Sequence, residues 1–149
     1  MTVIPDTSSL ETEVERGIAL LVAEVTDAIY LLAGVYPDTA TAVVGLGYMP
    51  QTPADSVGIW ATSADDSSPM GETVVALQLR FRSPSRNNNN RRAEQVFTRL
   101  HAASCLALDW VVAVYCERVS SADMGFENRV HDRSDNYRLI CHHPTSNRE

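Results

Sequence analysis

The stretch TVVALQLRFRS, Thr73–Ser83, is the clearest structural element in the sequence and decides the fold. Every second residue is large and apolar: Val75, Leu77, Leu79 and Phe81. The residues of the other face become polar toward the end: Gln78, Arg80 and Arg82. This alternation predicts a strand with one buried and one polar face. The two arginines of the polar face either meet solvent or form an ion-pair seam with an acidic neighbouring chain.

A helix is predicted before this strand. Apolar residues recur every three or four positions at Leu10, Val14, Ile18, Leu21, Val25, Ile29 and Leu32. This period predicts a helix of about 24 residues with one apolar face. Ser8 or Ser9 can cap its start, Glu11 and Glu13 suit the first turn, and Gly34 is expected to end it.

A second helix is predicted after the strand. Its apolar face carries Ala93, Val96, Phe97, Leu100 and Ser104. The preceding run of four asparagines ends with Asn89 and Asn90, either of which can cap the helix.

Four further strands are expected from short apolar runs: Thr41–Gly47, Ser56–Ser63, Leu108–Ser120 and Asn136–His143. The segment Ser121–Asp135 between the last two is rich in polar residues and is expected to be a long hairpin loop. Strands in runs with helices between them predict an α+β protein with a mainly antiparallel sheet of about four to five strands, flanked by two helices. We expect a single domain over residues 1–149, with flexible ends at 1–8 and 144–149.

Composition narrows the possible functions. The net charge is −7, and the 12 basic residues are all arginine. An acidic balance argues against nucleic-acid binding that depends on neutralising phosphates. No apolar run is long enough for a transmembrane helix, and the first residues lack the pattern of a signal peptide, so we expect a soluble protein.

Residue chemistry predicts no catalytic residue, cofactor or metal site. The odd cysteine count, Cys105, Cys116 and Cys141, predicts reduced, buried thiols. Cys141 and His143 share a strand face, but no second pair completes a metal site. Asp65 and Asp66 lie in a polar turn and are expected to be solvated. No glycine-rich stretch has the spacing of a phosphate-binding loop.

The segment GYMPQTPADSVGIW, Gly47–Trp60, places two prolines three residues apart directly before a strand. Proline fixes φ, so this segment predicts a stiff loop. It resembles the pattern G-[FY]-x-P-x-x-P-x-[DN]-x-[VI]-x-[LI] of the tail terminator, or minor capsid (head–tail joining), proteins of long-tailed bacteriophages. The resemblance extends over about residues 10–143, through the arginine-bearing strand, the helix RRAEQVFTRLHAA and two final strands. The N-terminal polar lead is longer than in that family, and the late loop matches only loosely.

The resemblance implies a structural protein without enzymatic activity, located in the virion at the tail and neck and assembled in the cytoplasm of the bacterial host. Such proteins form a ring, commonly a hexamer, at the head-proximal end of the tail. The implied partners are further copies of the chain, the major tail tube protein and a head-completion or neck protein, with no membrane. DNA passes through the lumen without specific binding. Six copies at −7 would carry roughly −42, enough to repel phosphate if the acids line the bore.

Interface candidates come from the proline segment, the arginine-bearing strand and the late loop: Tyr48, Met49, Pro50, Pro53, Asp55, Arg80, Arg82, Arg129 and Arg133. Tyr48 and Met49 can offer apolar contact to a neighbouring subunit or to the tube. The alternative for Tyr48 is a place in the core, with the loop acting only as a rigid turn.

Three other functions stay open at this point. One is a head-completion or neck protein of the same connector. Another is a small enzyme that uses Cys116, His131 or the aspartates. The last is a regulator that binds a small molecule between sheet and helix.

Overall fold

A computed structural model describes residues 4, 8–31, 36–37, 40–68 and 70–143. Two helices and six strands lie within these residues. In chain order they are α1 (Leu10–Val25), β1 (Val43–Leu46), β2 (Ser56–Asp65), β3 (Glu72–Ser83), α2 (Arg86–Leu100), β4 (Ser104–Leu108), β5 (Val111–Glu127) and β6 (Val130–His142).

The strands form one sheet in the order β1-β2-β3-β6-β5-β4. The β1–β2 pair is parallel and the other pairs are antiparallel. This confirms the predicted α+β class, with six strands in place of four to five. The additional strand is β4, five residues long; its first residue, Ser104, was predicted on the second helix and its last, Leu108, at the start of the next strand.

Both helices pack on the same face of the sheet. The alternating residues Val75, Leu77, Leu79 and Phe81 of β3 point to that face and are at most 1% exposed. Helix α1 packs against β2, and α2 packs against β3 and β6. The predicted buried face of β3 is therefore confirmed. We call the face that the helices leave uncovered the outer face.

Helix α1 is shorter than predicted. Ser9 caps its start by accepting a hydrogen bond from the Thr12 backbone N–H at 3.2 Å, as expected. The helix ends at Val25 because the Thr26 side chain bonds the Val22 carbonyl and the Ala28 N–H. Ile29 then forms a parallel bridge with Val43. The predicted extension through Ile29 is thus wrong, and Leu32 and Gly34 lie outside the described residues.

The start of α2 also differs from the prediction. Ser85 is the N-cap and accepts from the Asn88 N–H at 3.2 Å, so the asparagines lie inside the helix. Asn89 is buried, and its side-chain amide donates to the carbonyls of Phe81 and His131 at 2.9 and 3.1 Å. Asn89 therefore joins α2 to strands β3 and β6. Ser104 belongs to β4, not to the helix.

The segment expected to be a polar loop, Ser121–Asp135, is instead the far half of a long β5–β6 hairpin. Its turn consists of Asn128 and Arg129, both with positive φ, at 52° and 66°. Two consecutive left-handed residues make the tight turn that matches the twist of paired strands. Side chains from Val119 to Arg129 are exposed, which explains their polar composition.

The predicted flexible ends lie largely outside the described part of the chain. Within them, Ile4 packs against the core and Ser8 Oγ donates to Glu13 Oε1 at 2.5 Å. None of the described helices is long and apolar enough to cross a membrane.

Candidate interaction surfaces

The proline loop, Gly47–Asp55, folds back over the end of β1. A Cβ at Gly45 would lie 2.7 Å from the Tyr48 carbonyl oxygen and 2.9 Å from Pro50 Cδ, so the loop rests directly on this glycine. Gly47 takes φ +76° and donates its N–H to the Ile59 carbonyl at 2.7 Å. The loop therefore leaves β1 by a turn that favours glycine and is then held against its own strand.

Arg82 holds this loop in place through hydrogen bonds. Its guanidinium donates to the carbonyl of Pro50, to the carbonyl of Ala54 at 3.2 Å and to Ser56 Oγ at 2.7 Å. These contacts satisfy backbone acceptors of a segment that has no regular secondary structure. Arg82, predicted at an interface, thus has a bracing role within its own chain. Its neighbour on the outer face, Arg80, forms an ion pair with Asp132 at 3.7 Å.

A buried arginine holds the end of the loop. Arg92 of α2 is 1% exposed. It donates to Asp55 Oδ1 at 2.6 Å and to both carboxylate oxygens of Asp27 at 2.7 and 3.0 Å. Asp55 also accepts from Ser83 Oγ at 2.5 Å. The hydrogen bonds between Asp27 and Arg92 hold the pKa of the Asp27 carboxyl below its ordinary value.

The loop presents its two large side chains differently. The Tyr48 side chain is 48% exposed, so it is not a core residue. Met49 turns back onto the outer face, where its sulfur lies over Gly58 beside the Trp60 ring. Pro50 is buried, whereas Pro53, in a cis peptide bond with Thr52, is half-buried. Tyr48 is therefore the residue of this loop best placed to meet another molecule.

The hairpin tip lies at the same end of the sheet as the proline loop. Gln51 and Ala54 of the loop share a cleft of about 420 Å³ with Glu127, Asn128 and Val130. Arg129 is exposed at the turn. Arg133 reaches inward, donating to Asp135 Oδ1 at 2.9 Å and to Asn90 Oδ1 at 3.1 Å. The structure thus brings together candidates from distant parts of the sequence, although several of them are occupied by bonds within the chain.

One exposed surface was not predicted from the sequence. The hairpin edge, Val119–Glu127, is the part of β5 beyond its pairing with β4. It exposes three large apolar side chains: Val119, Met124 and Phe126, at 56%, 58% and 60%. A sequence signal existed in the spacing of these residues within a polar segment, but it follows neither strand nor helix periodicity because bulges interrupt the strand.

A cavity of about 610 Å³ opens on the outer face. Its walls include Trp60 and Thr62 of β2, Val74 and Ala76 of β3, Gln78, Arg138 and, from the hairpin edge, Val119. We call it the outer-face cavity. Its mainly apolar walls with a few polar groups are typical of sites that receive a ligand or a partner side chain.

The cysteines and histidines do not form a reactive cluster. Cys116 and Cys141 are buried, and burial raises the pKa of each thiol to about 12. Cys105 is exposed, contrary to the expectation that the thiols are buried. His101 stacks on Phe97, with 4.6 Å between ring centroids. Among the described residues, no three His, Cys, Asp or Glu side chains are grouped so as to hold a metal ion.

Comparison with known proteins identifies a solved chain whose fold is similar to that of this protein. No protein family matches the sequence, and no curated protein matches it. The fold is similar to that of a chain in a solved structure of the virion of a native gene transfer agent particle. The TM-score is 0.61 at 14% sequence identity, over 90% of this chain and 98% of that chain. The two chains therefore share a fold over almost their whole described length.

Proposed function

We propose that this chain is a structural virion protein that forms a ring at the head-proximal end of a long phage tail. In this role it ends polymerisation of the tail tube and joins the tail to the head. The observation that carries the proposal is the fold shared with a chain of a virion over 90% of this chain. The proline loop pattern, which resembles that of tail terminator proteins, points to the same role.

The construction of the proline loop suits a docking surface. Arg82 and Arg92 bond its backbone and its last residue from within the chain. A loop held in one conformation loses little further entropy when it binds. The exposed Tyr48 can then supply apolar area and a hydroxyl to the tube or to a neighbouring subunit.

A non-enzymatic role is part of the proposal. The two buried thiols have pKa values near 12 and are thus protonated at neutral pH. His131 packs against Phe126, with 4.4 Å between ring centroids and 34° between the ring planes. We assign neither group a role in catalysis. The large cavity lies on the outer face, whereas the regulator alternative placed a ligand between sheet and helix.

The ring itself can be tested by native mass spectrometry over a range of protein concentrations, with and without tail tubes. A subunit of 16.4 kDa is expected to give a closed species near six times that mass, with a central hole visible by electron microscopy. A dimer that grows no further under any condition would contradict the ring, because a closed twofold contact leaves no surface for a third copy.

A further inference from the structure

The hairpin edge is built to expose apolar side chains without offering a regular strand. Register shifts fall between Arg118 and Ser120 and between Asp123 and Gly125, so Val119 and Met124 are the extra residues of two bulges. Bulges disrupt the ladder and are a common device against edge-to-edge pairing. The edge is therefore poorly suited to strand addition. Its exposed side chains are the feature that remains available to a partner.

We infer that Met124 and Phe126 of one subunit dock into the outer-face cavity of a second copy of the chain. The inference rests on the proposed ring and names the contact that builds it. The Phe126 ring packs against His131 in a tilted arrangement, and Phe126 is 60% exposed. The cavity of about 610 Å³ has room for a phenyl ring and a methionine side chain.

The same subunit cannot fill its own cavity in this way. Val119 lines the cavity, and Phe126 follows seven residues later along β5. At the rise of a strand these two residues are about 20 Å apart. The donor side chains and the cavity are thus two different patches of one molecule. A contact between such patches is head-to-tail and, when its rotation closes, generates a ring.

Charge supports a second copy as the occupant. Glu127, next to Phe126, pairs with Val130 through its backbone. Its exposed side chain has no hydrogen-bond or ion-pair partner among the described residues. Arg138 at the cavity is 46% exposed in its side chain and has one partner, Glu117, at 3.6 Å. Docking places the unpaired carboxylate of one subunit near a guanidinium of the next, and such complementarity fixes orientation.

The contact is expected to be weak between isolated subunits. A buried aromatic side chain such as Phe126 removes about 150–250 Å² from solvent. A stable interface needs about 800 Å² per partner. Docking of the Met124 and Phe126 side chains alone therefore supplies only part of that area, and self-association should depend on concentration and be promoted by the end of a tail tube.

The test is disulfide cross-linking in the full chain with Cys105→Ser, since Cys105 is the exposed native thiol. One preparation carries Phe126→Cys and another carries Thr62→Cys, at an exposed position of the cavity wall. Mixed under mild oxidation, they should give a heterodimer. The two substitutions in one chain should give a ladder of higher oligomers. Thr98→Cys on the exposed surface of α2 replaces Thr62→Cys as the control and should give no cross-link.

Disulfide dimers of the Phe126→Cys chain alone would overturn the inference, because they would show twofold contact between hairpins. Absence of the mixed dimer at high concentration, both with and without tail tubes, would also overturn it. The pair Met124→Cys and Ala64→Cys repeats the test if the Phe126 variant does not fold. In addition, Phe126→Asp should raise the concentration needed for self-association by at least about tenfold, as expected for an aromatic anchor, and Thr98→Asp should not.

These results separate the contact from the role in the particle. A ring seen by electron microscopy without the mixed cross-link would refute this contact and leave the proposed function standing. The cross-linked ladder without any effect on tail tubes would support the contact and refute tail termination.

Discussion

Arg92 Nη1 lies 2.6 Å from Asp55 Oδ1, joining helix α2 to the last residue of the proline loop. The same guanidinium binds Asp27, just after helix α1, through two further bonds. One side chain therefore joins helix α2 to Asp27 and Asp55, which are 65 and 37 residues away from it in sequence.

Replacement of Arg92 by Met should destabilise the protein by about 2–4 kcal/mol, because two carboxylates lose their buried partner. The estimate is below that for a fully buried pair, since Asp27 and Asp55 keep 40% and 22% of their side chains exposed. Urea unfolding measures the loss. Arg91→Met is the matched control. Arg91 is 47% exposed and 3.7 Å from Asp27, so its replacement should cost less than about 0.5 kcal/mol. Equal losses in the two variants would refute the special role of Arg92.

Stability should fall in acid partly through Asp27. Its pKa is lowered in the folded protein, so the unfolded chain takes up the proton first as the pH falls. The contribution is present above the ordinary pKa of 3.8 and is lost as the pH falls through the lowered folded value. Asp27→Asn should therefore weaken the pH dependence below about pH 4, as measured by unfolding at a series of pH values. An unchanged acid limb in the variant would contradict the pKa shift.

The side chain of Ser85 should stabilise the protein by capping α2, whereas the side chain of Asn87 should contribute little to stability. Loss of the cap in Ser85→Ala should cost about 1 kcal/mol of unfolding free energy. Asn87 is exposed within the first turn, and Asn87→Ala should be neutral or slightly stabilising because alanine has the higher helix propensity. Thermal unfolding of both variants measures the contribution of the cap against that of an exposed asparagine in the same turn. A loss for Ser85→Ala no larger than that for Asn87→Ala would contradict the role of Ser85 as the cap.

Tyr48→Ser should leave the fold intact while reducing binding to neighbouring subunits or tail tubes. The side chain is 48% exposed, so little of its area is lost from the core. Circular dichroism and unfolding measure the first effect, and co-sedimentation with tubes measures the second. Leu20→Ser, at a residue that is 55% exposed on α1, removes a similar apolar surface elsewhere and should not alter tube binding. An unfolded Tyr48→Ser protein would instead indicate a structural role for this tyrosine.

Sequence periodicity predicted β3 well because its two faces meet different environments. The same reasoning extended α1 too far, since Ile29 keeps the helical spacing but is used in a bridge to Val43. It also read the far half of the β5–β6 hairpin as a loop. The side chains of β5 in that half are exposed, and bulges interrupt the strand. The sequence there shows neither alternation nor an apolar run.

The candidate surfaces, too, could be predicted only in part from the sequence. The proline loop is visible in the sequence because proline and glycine restrict the backbone locally. The partners that hold it are not visible, because the bonds from Arg92 to Asp27 and Asp55 depend on tertiary packing. A weak signal was present: Arg92 falls beside Ala93 on the buried side of α2, where an unpaired arginine would be costly. The outer-face cavity requires four strands to be brought together before it exists.

The most direct measurement is the growth of tail tubes in the presence of this protein, followed by negative-stain electron microscopy. A major tail tube protein would be polymerised with increasing amounts of the purified chain. The proposed function predicts density at one end of each tube, and tubes that stop lengthening once that end is occupied. Tubes of unchanged length without end density, or protein bound along their sides, would contradict tail termination.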